Sequence, residues 1–206
     1  MEKRLYSLIP IEDFKLLLGV DDREDKISRY CLMTATYTIE KFCSRRLLKK
    51  RHTDFLDFNG DHIFTLKEYP VRKIISVKRE HLLGNSEEVI DPQQYYCLPD
   101  PGMCVDLPFF LILKPPLSRS RNRMIIRVVY SSGYSAGKEP DNPNGVPPDL
   151  ASACLELAAW NMARYKGRRI GMTGNVRGSG RDGEHFEMSI PLQVRELLEP
   201  YKRRVI

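Results

Sequence analysis

Four clusters of cations are the residues of this chain best placed to do chemistry, and that chemistry is the binding of phosphate. They fall at residues 45–51, 119–123, 164–169 and 202–204 of the 206. Lysine and arginine neutralise a nucleic-acid backbone without reading its bases. Two of the clusters follow helical stretches, where cations also answer the negative end of the helix dipole. A solvated helix terminus therefore competes with a phosphate-facing role. Aromatic residues do not interleave with these cations as they do in single-strand binders. The run Gly178-Ser179-Gly180-Arg181-Asp182-Gly183 matches GxGxxG letter for letter. The dinucleotide mechanism needs a strand before that motif and a helix N-terminus after it. The flanks at 173–177 and 184–189 offer neither cleanly, so the run reads as a flexible loop.

Other chemistries find less support. His52, His62, His81 and His185 pair neither with one another nor with cysteine at metal-ligand spacing. The five cysteines, Cys31, Cys43, Cys97, Cys104 and Cys154, are odd in number and form no CxxC, which reads as buried or free thiols in a reducing compartment. Asp54 and Asp57, or Glu87 and Glu88, are close in sequence but sit in strand or loop patterns where carboxylates are solvated. No GxSxG, HExxH or Walker pattern occurs. The expectation is a protein that is not an enzyme, with no catalytic, cofactor-binding or metal-ligating residues. The net charge of +6, from 33 cations and 27 acids, permits contact with nucleic acid without demanding it. No apolar run approaches the roughly 20 residues of a membrane span, and residues 1–10 lack the apolar core of a signal peptide.

These residues must be positioned by helices at both ends of the chain and strands in the middle. A short helix is expected at 10–18, opened by Pro10 and stopped by Gly19. The longest helix is expected at 22–48, with Ile27, Cys31, Thr34, Ala35, Thr38 and Phe42 on its apolar stripe, widened by Tyr30, Met33 and Tyr37. Asp21 and Asp22 suit its start, and Arg45, Arg46, Lys49 and Lys50 crowd its end. Asn59-Gly60 between 54–58 and 62–66 is a hairpin signal. Val71, Lys73, Ile75 and Val77 alternate with polar and apolar neighbours as a strand. Residues 81–92 read as a polar loop, 95–98 and 103–107 flank an Asp100-Pro101-Gly102 turn, and 124–130 is β-rich. The continuously apolar 109–113 is either a buried strand or an exposed loop, and 131–146 reads as a linker.

A third helix is expected at 147–166, with Leu150, Cys154, Leu157, Asn161 and Tyr165 on one side and Ala153, Ala158 and Trp160 beside them. Residues 171–183 hold five glycines and are expected to be mobile unless a partner orders them. A last short helix at 191–199 ends at Pro200, so the core is expected to finish at Leu198. The fold class is α+β: a helical bundle interrupted by an inserted antiparallel β module, with a flexible Gly-rich loop and a C-terminal tail. Residues 1–52 and 145–206 form the helical part and 53–144 the β module.

With the chain read through, four segments resemble the tailed-bacteriophage head–tail connector (adaptor, or head completion) family. The first comprises Leu8-Ile9-Pro10 to Gly19-Val20, then Ala35-Thr36 to Ile39-Glu40 and Cys43-Ser44-Arg45. The second runs Leu66-Lys67-Glu68-Tyr69-Pro70-Val71-Arg72-Lys73-Ile74-Ile75-Ser76-Val77. The third is Val128-Val129-Tyr130-Ser131-Ser132-Gly133-Tyr134, followed by Pro147-Pro148-Asp149-Leu150 and Ala153. The fourth is Ile190-Pro191 to Val194, Leu197-Leu198 and Pro200-Tyr201-Lys202-Arg203. The chain departs from the family pattern in its long middle, 81–123, and in 171–183.

The resemblance implies a structural virion protein of the neck, made in the bacterial host cytoplasm. Its copies would form a homo-oligomeric, dodecameric ring below the portal protein, meeting a tail or stopper protein. Double-stranded DNA would pass through without sequence-specific contact, and no membrane is involved. Against that implication, Arg164, Lys166, Arg168 and Arg169, at a helix end leading into the glycine-rich loop, are candidates to face the DNA channel. Tyr201, Lys202, Arg203, Arg204, Val205 and Ile206 combine cations with two β-branched apolar residues and are candidates to dock on the portal. The alternative reading is a basic nucleic-acid-binding module acting independently.

Overall fold

A computed structural model describes residues 6–58, 61–81, 87–100, 107, 109–114, 124–136, 145–167 and 190–203. The Asn59-Gly60 turn, residues 101–106, the 119–123 cluster, the GxGxxG run, Arg168, Arg169 and Arg204, Val205 and Ile206 lie outside them. Helices and antiparallel sheets give the expected α+β class. The chain divides into two compact units. One comprises the residues up to Ser44 with Val146–Arg203, and the other is Arg45–Gly145.

The first unit is helical: α1 (Ile11–Leu18), α2 (Asp25–Cys43), α3 (Pro148–Lys166) and α4 (Leu192–Leu198). In α1, Pro10 occupies the N-cap, Glu12 and Asp13 fill the first turn, and Gly19 ends the helix at φ 61. Asp22–Glu24 form a 3₁₀ turn ahead of α2, and no aspartate side chain caps either element. The expected helix to Leu48 stops five residues early. Ser44 takes the left-handed conformation, φ 55, which a local pattern without glycine does not signal. The backbone beyond it is taken elsewhere: Tyr134 N donates to Leu47 O at 2.7 Å and Lys49 N to Tyr134 O at 2.8 Å.

The buried face of α2 is also rotated from the expected stripe. It consists of Ser28, Cys31, Leu32, Ala35, Thr36, Ile39, Glu40 and Cys43, while Tyr30, Met33 and Tyr37 are exposed. Hydrophobicity alone misplaces the face because three of its polar groups find partners. Ser28 Oγ donates to Glu24 O at 3.0 Å, Leu8 N donates to Thr36 Oγ1 at 3.2 Å, and Tyr6 OH donates to Glu40 Oε1 at 2.7 Å. A hydrogen-bonded polar group is buried at little cost. In α3, Leu150, Ala153, Cys154, Leu157, Ala158 and Met162 are buried, whereas of the two others expected on that side Asn161 is half-buried and Tyr165 is exposed.

The helical core does not end at Leu198. Glu199–Tyr201 form a 3₁₀ turn, and Tyr201 is only 6% exposed. Its hydroxyl donates to Asp149 Oδ1 at 2.6 Å, in the first turn of α3. Tyr201→Phe is expected to lower the stability of the helical unit by about 1.5–3 kcal/mol, the worth of a hydrogen bond to a charged acceptor. Denaturant titration followed by circular dichroism measures this. An unchanged midpoint would mean that water replaces the hydroxyl at no cost.

The second unit is two antiparallel sheets. One has the order β1 (Lys50–Phe58), β7 (Met124–Ser132), β3 (Val71–His81), β4 (Glu87–Val89), and the other β2 (Ile63–Leu66), β6 (Phe109–Leu113), β5 (Tyr95–Leu98). Both contribute to one core, Phe58, Val71, Val77, Ile126, Val128 and Tyr130 from the first and Phe64, Leu66, Cys97, Phe109, Leu111 and Leu113 from the second. The runs flanking Asn59-Gly60 are strands, but they do not make the expected hairpin. β1 pairs with β7 from Lys50↔Ser132 to Phe58↔Met124, and β2 pairs with β6. Turn chemistry specifies a local reversal. The apolar faces of β7 and β6, in different layers, decide which strand each run joins.

Strict alternation fails in β3. Val71 and Val77 are buried and Ile74 packs against the core, while Ile75 is exposed. Irregularities between Val71/Lys73 and between Ile74/Ser76 each insert one residue. The inward positions therefore fall at 71, 74 and 77, opposite the inward Ser132, Tyr130 and Val128. The expected loop at 81–92 holds a strand. β4 pairs with β3 from Lys78↔Val89 to Glu80↔Glu87, and Lys78 Nζ reaches Glu87 Oε2 at 2.6 Å. A short, charged strand at a sheet edge lacks the apolar alternation that marks an inner one.

Candidate interaction surfaces

Among the described residues, the members of the cation clusters have different surroundings. Arg45 is buried, with its guanidinium 4.2 Å from the centroid of the Tyr69 ring and Nη1 donating to Tyr69 O at 3.0 Å. That geometry braces the start of the β unit and offers nothing to a phosphate. The backbone N of Arg46 donates to Glu68 Oε2 at 3.0 Å, while Lys49, Lys50 and Arg51 are exposed. In α3, Arg164 lies over the Trp160 ring at 4.6 Å, and Lys166 Nζ is 2.8 Å from Glu24 Oε2. Two of the four candidate channel cations are thus engaged within the helical unit.

The C-terminal candidates divide likewise. Tyr201 belongs to the core, and Lys202 Nζ lies 2.8 Å from Glu199 Oε2 and 4.5 Å from the centroid of Phe42. Arg203 N donates to Cys43 O at 2.9 Å, tying the chain to the end of α2.

The buried titratable groups are structural. Asp54 accepts from Tyr130 OH at 2.9 Å and from Lys67 N at 2.9 Å, and the same tyrosine oxygen accepts from Glu68 N at 3.0 Å. Burial first, and then the Asp54 charge, push the Tyr130 hydroxyl far above the usual phenol range, so it stays a donor. Burial pushes the thiols of Cys31, Cys97 and Cys154 up to about 11, which keeps them protonated and unreactive at neutral pH. Among the described residues no group of three or more His, Cys, Asp or Glu could hold a metal ion, and no helix is long and apolar enough to cross a membrane.

His52, on β1 opposite Tyr130, has a half-buried ring whose Nε2 lacks a hydrogen-bond partner among the described residues. Its desolvation lowers its pKa; Glu68 and Asp54 oppose the shift, and Lys50 and Arg46 add to it. A folded-state pKa below the unfolded value means that the unfolded chain binds the proton more readily. Stability is therefore expected to fall as pH drops through about 6.5 and to level off below the folded-state value. His52→Gln should flatten that part of the profile in urea titrations between pH 7.5 and 5. A parent-like slope would place its origin elsewhere.

One further surface lies on α2. The exposed residues of α2 are Lys26, Tyr30, Met33, Tyr37 and Lys41, one stripe with a lysine at each end. The Tyr37 ring stacks on Tyr6 with centroids 5.0 Å apart, and the Tyr30 ring meets Tyr165 edge-on at 5.6 Å. The helical spacing of these residues is visible in the sequence, but their aromatic and apolar character points to the buried side.

No protein-family model matches the chain, and no curated protein matches it significantly. Solved structures do. A chain from the neck of an empty GTA particle, computed with C6 symmetry, superimposes with a TM-score of 0.61 at 18% identity, covering 97% of this chain and 92% of that one. A chain from the neck of a native GTA particle, computed with C12 symmetry, gives 0.57 at 19% identity, with 97% and 91% covered. At this identity the likeness is one of fold, and it runs through both the helical and the β unit. The fold expected from the sequence, helices around an antiparallel β module, is thus shared with these two chains.

Proposed function

We propose that this chain is a structural neck protein of a phage-like particle, a connector that forms a ring below the portal, extends the DNA channel and joins capsid to tail. One observation carries the reading: 97% of the chain shares its fold with chains taken from necks. The C6 and C12 symmetry of those necks supports a ring of copies, for which we propose twelve. The portal, a tail or stopper protein and transiting double-stranded DNA are the proposed partners, and the work is mechanical rather than catalytic. Arg164 and Lys166 are held by Trp160 and Glu24, so with Arg168 and Arg169 they would act on DNA as a field rather than as clamps. Because Tyr201 belongs to the core, the proposed docking element shortens to Lys202, Arg203, Arg204, Val205 and Ile206.

Particles assembled without this chain should accumulate as DNA-filled heads lacking tails, with the chain located at the neck of parental particles by labelled electron microscopy. Normal tailed particles in its absence would overturn the reading. Removing residues 204–206 should leave the melting temperature unchanged while the protein fails to join filled capsids. Full occupancy of the truncated chain would move docking to the helical faces.

A further inference from the structure

We propose that the exposed stripe of α2 receives the α1 segment of a neighbouring copy of this chain. The inference rests on the ring reading and names the two surfaces that would close the ring. The solvent face of a helix is ordinarily charged throughout. Here the middle of the face is Tyr30, Met33 and Tyr37, with lysines only at its ends and no carboxylate among its exposed residues. Tyrosine and methionine at the centre with cations at the rim is the composition of an interface core. The contacts of Tyr37 with Tyr6 and of Tyr30 with Tyr165 hold the two rings before any partner arrives, which lowers the entropy cost of docking.

The complement lies on the same chain. The exposed residues of α1 are Glu12, Leu16, Leu17 and Leu18, with Leu16 79% and Leu17 65% exposed. Asp21 and Asp22 follow, also exposed. Acid, leucines, acid follow one another along the exposed residues of α1 and the turn after it, and this order answers lysine, aromatics, lysine along α2. Lys15, held by Asp22 and by Asp25 at 2.6 Å, fixes the end of α1 against the start of α2, so the leucine segment is presented in a set position. Two different patches on one chain make a heterologous contact, which closes into a ring when the rotation per copy allows it. Nucleic acid would satisfy Lys26 and Lys41 but leave the leucines of α1 without a partner, so a second copy fits both surfaces.

The test uses two full-length charge variants, Lys26→Glu with Lys41→Glu, and Glu12→Lys with Asp21→Lys, each first shown to melt as the parent does. Both leave the buried faces untouched. In sedimentation equilibrium up to roughly millimolar concentration, each variant alone should associate at least about tenfold more weakly than the parent, because like charges then face each other. An equimolar mixture should recover parental association, since every contact then pairs opposite charges. Lys50→Glu with Arg51→Glu, the same charge change on β1, should associate as the parent does. A parent that stays monomeric, variants that associate normally, or a mixture that does not recover would each overturn the proposal. So would variants that lose only retention of DNA. These results leave the neck assignment to its own test, where localisation in the particle decides.

Discussion

Leu157→Asp is expected to be the most damaging single change in the helical unit, lowering its stability by about 4 kcal/mol or more. Leu157 is 2% exposed, in the middle of α3 between Cys154 and Ala158, which are fully buried. A carboxylate there has no cation to meet among the buried residues of α3. It must either ionise in an apolar setting or hold a proton at a strongly raised pKa. Truncation alone would remove the leucine contacts for about 2–5 kcal/mol, and desolvation adds to that. Urea unfolding at pH 7 and pH 5 separates the two terms. Leu157→Asp should recover part of its deficit at the lower pH, where the carboxyl is protonated, while Leu157→Ala should show no such recovery. A midpoint equal to that of the parent would refute the packing of α3.

In the β unit, Gly133→Ala is expected to cost about 3 kcal/mol, combining left-handed backbone strain with overpacking. Gly133 has φ 96, and a Cβ built there would lie 2.7 Å from Leu47 O, Leu48 C and Leu48 O. Those are backbone atoms and cannot rotate aside. The peptides on both sides of the residue are committed: Gly133 N donates to Pro70 O at 3.0 Å, and Arg72 Nε donates to Gly133 O at 2.8 Å. Relieving the clash would break the bonds that anchor Leu47 and Lys49 to Tyr134. Gly19→Ala supplies the control. Gly19 also has a positive φ, 61, but nothing lies within 4 Å of its added Cβ, so only the backbone term of about 1 kcal/mol should appear. Equal effects from the two substitutions would show that strain, not close approach, determines the glycine at 133.

Much of the architecture was legible in local pattern. Pro10, Glu12, Asp13 and Gly19 mark the limits of α1 because capping and handedness act within a few residues. The apolar spacing of Leu150, Cys154 and Leu157 identifies α3 for the same reason. The runs at 54–58, 71–78 and 124–130 announce strands through their alternation and their β-branched and aromatic content, and helices around strands give the α+β class; the continuously apolar 109–113 fits a buried strand or an exposed loop equally, and only its pairing with β2 and β5 makes it a strand.

The candidate surfaces were less legible. A cation cluster in sequence says nothing of where its side chains go. Arg45 is buried against Tyr69, Lys166 pairs with Glu24 and Tyr201 turns inward to Asp149, each held by a residue more than twenty positions away. The same distance rule governs what else only the folded chain decides. Ser44 ends α2 because the residues after it bond to Tyr134. β1 and β2 separate because their partners are β7 and β6. The face of α2 turns because Thr36 and Glu40 are satisfied by Leu8 and Tyr6, which frees Tyr30, Met33 and Tyr37 for the surface. Periodicity measures the average polarity of a face. Whether a polar group can be buried depends on a partner brought close by the fold, and that partner has no local signature in the chain.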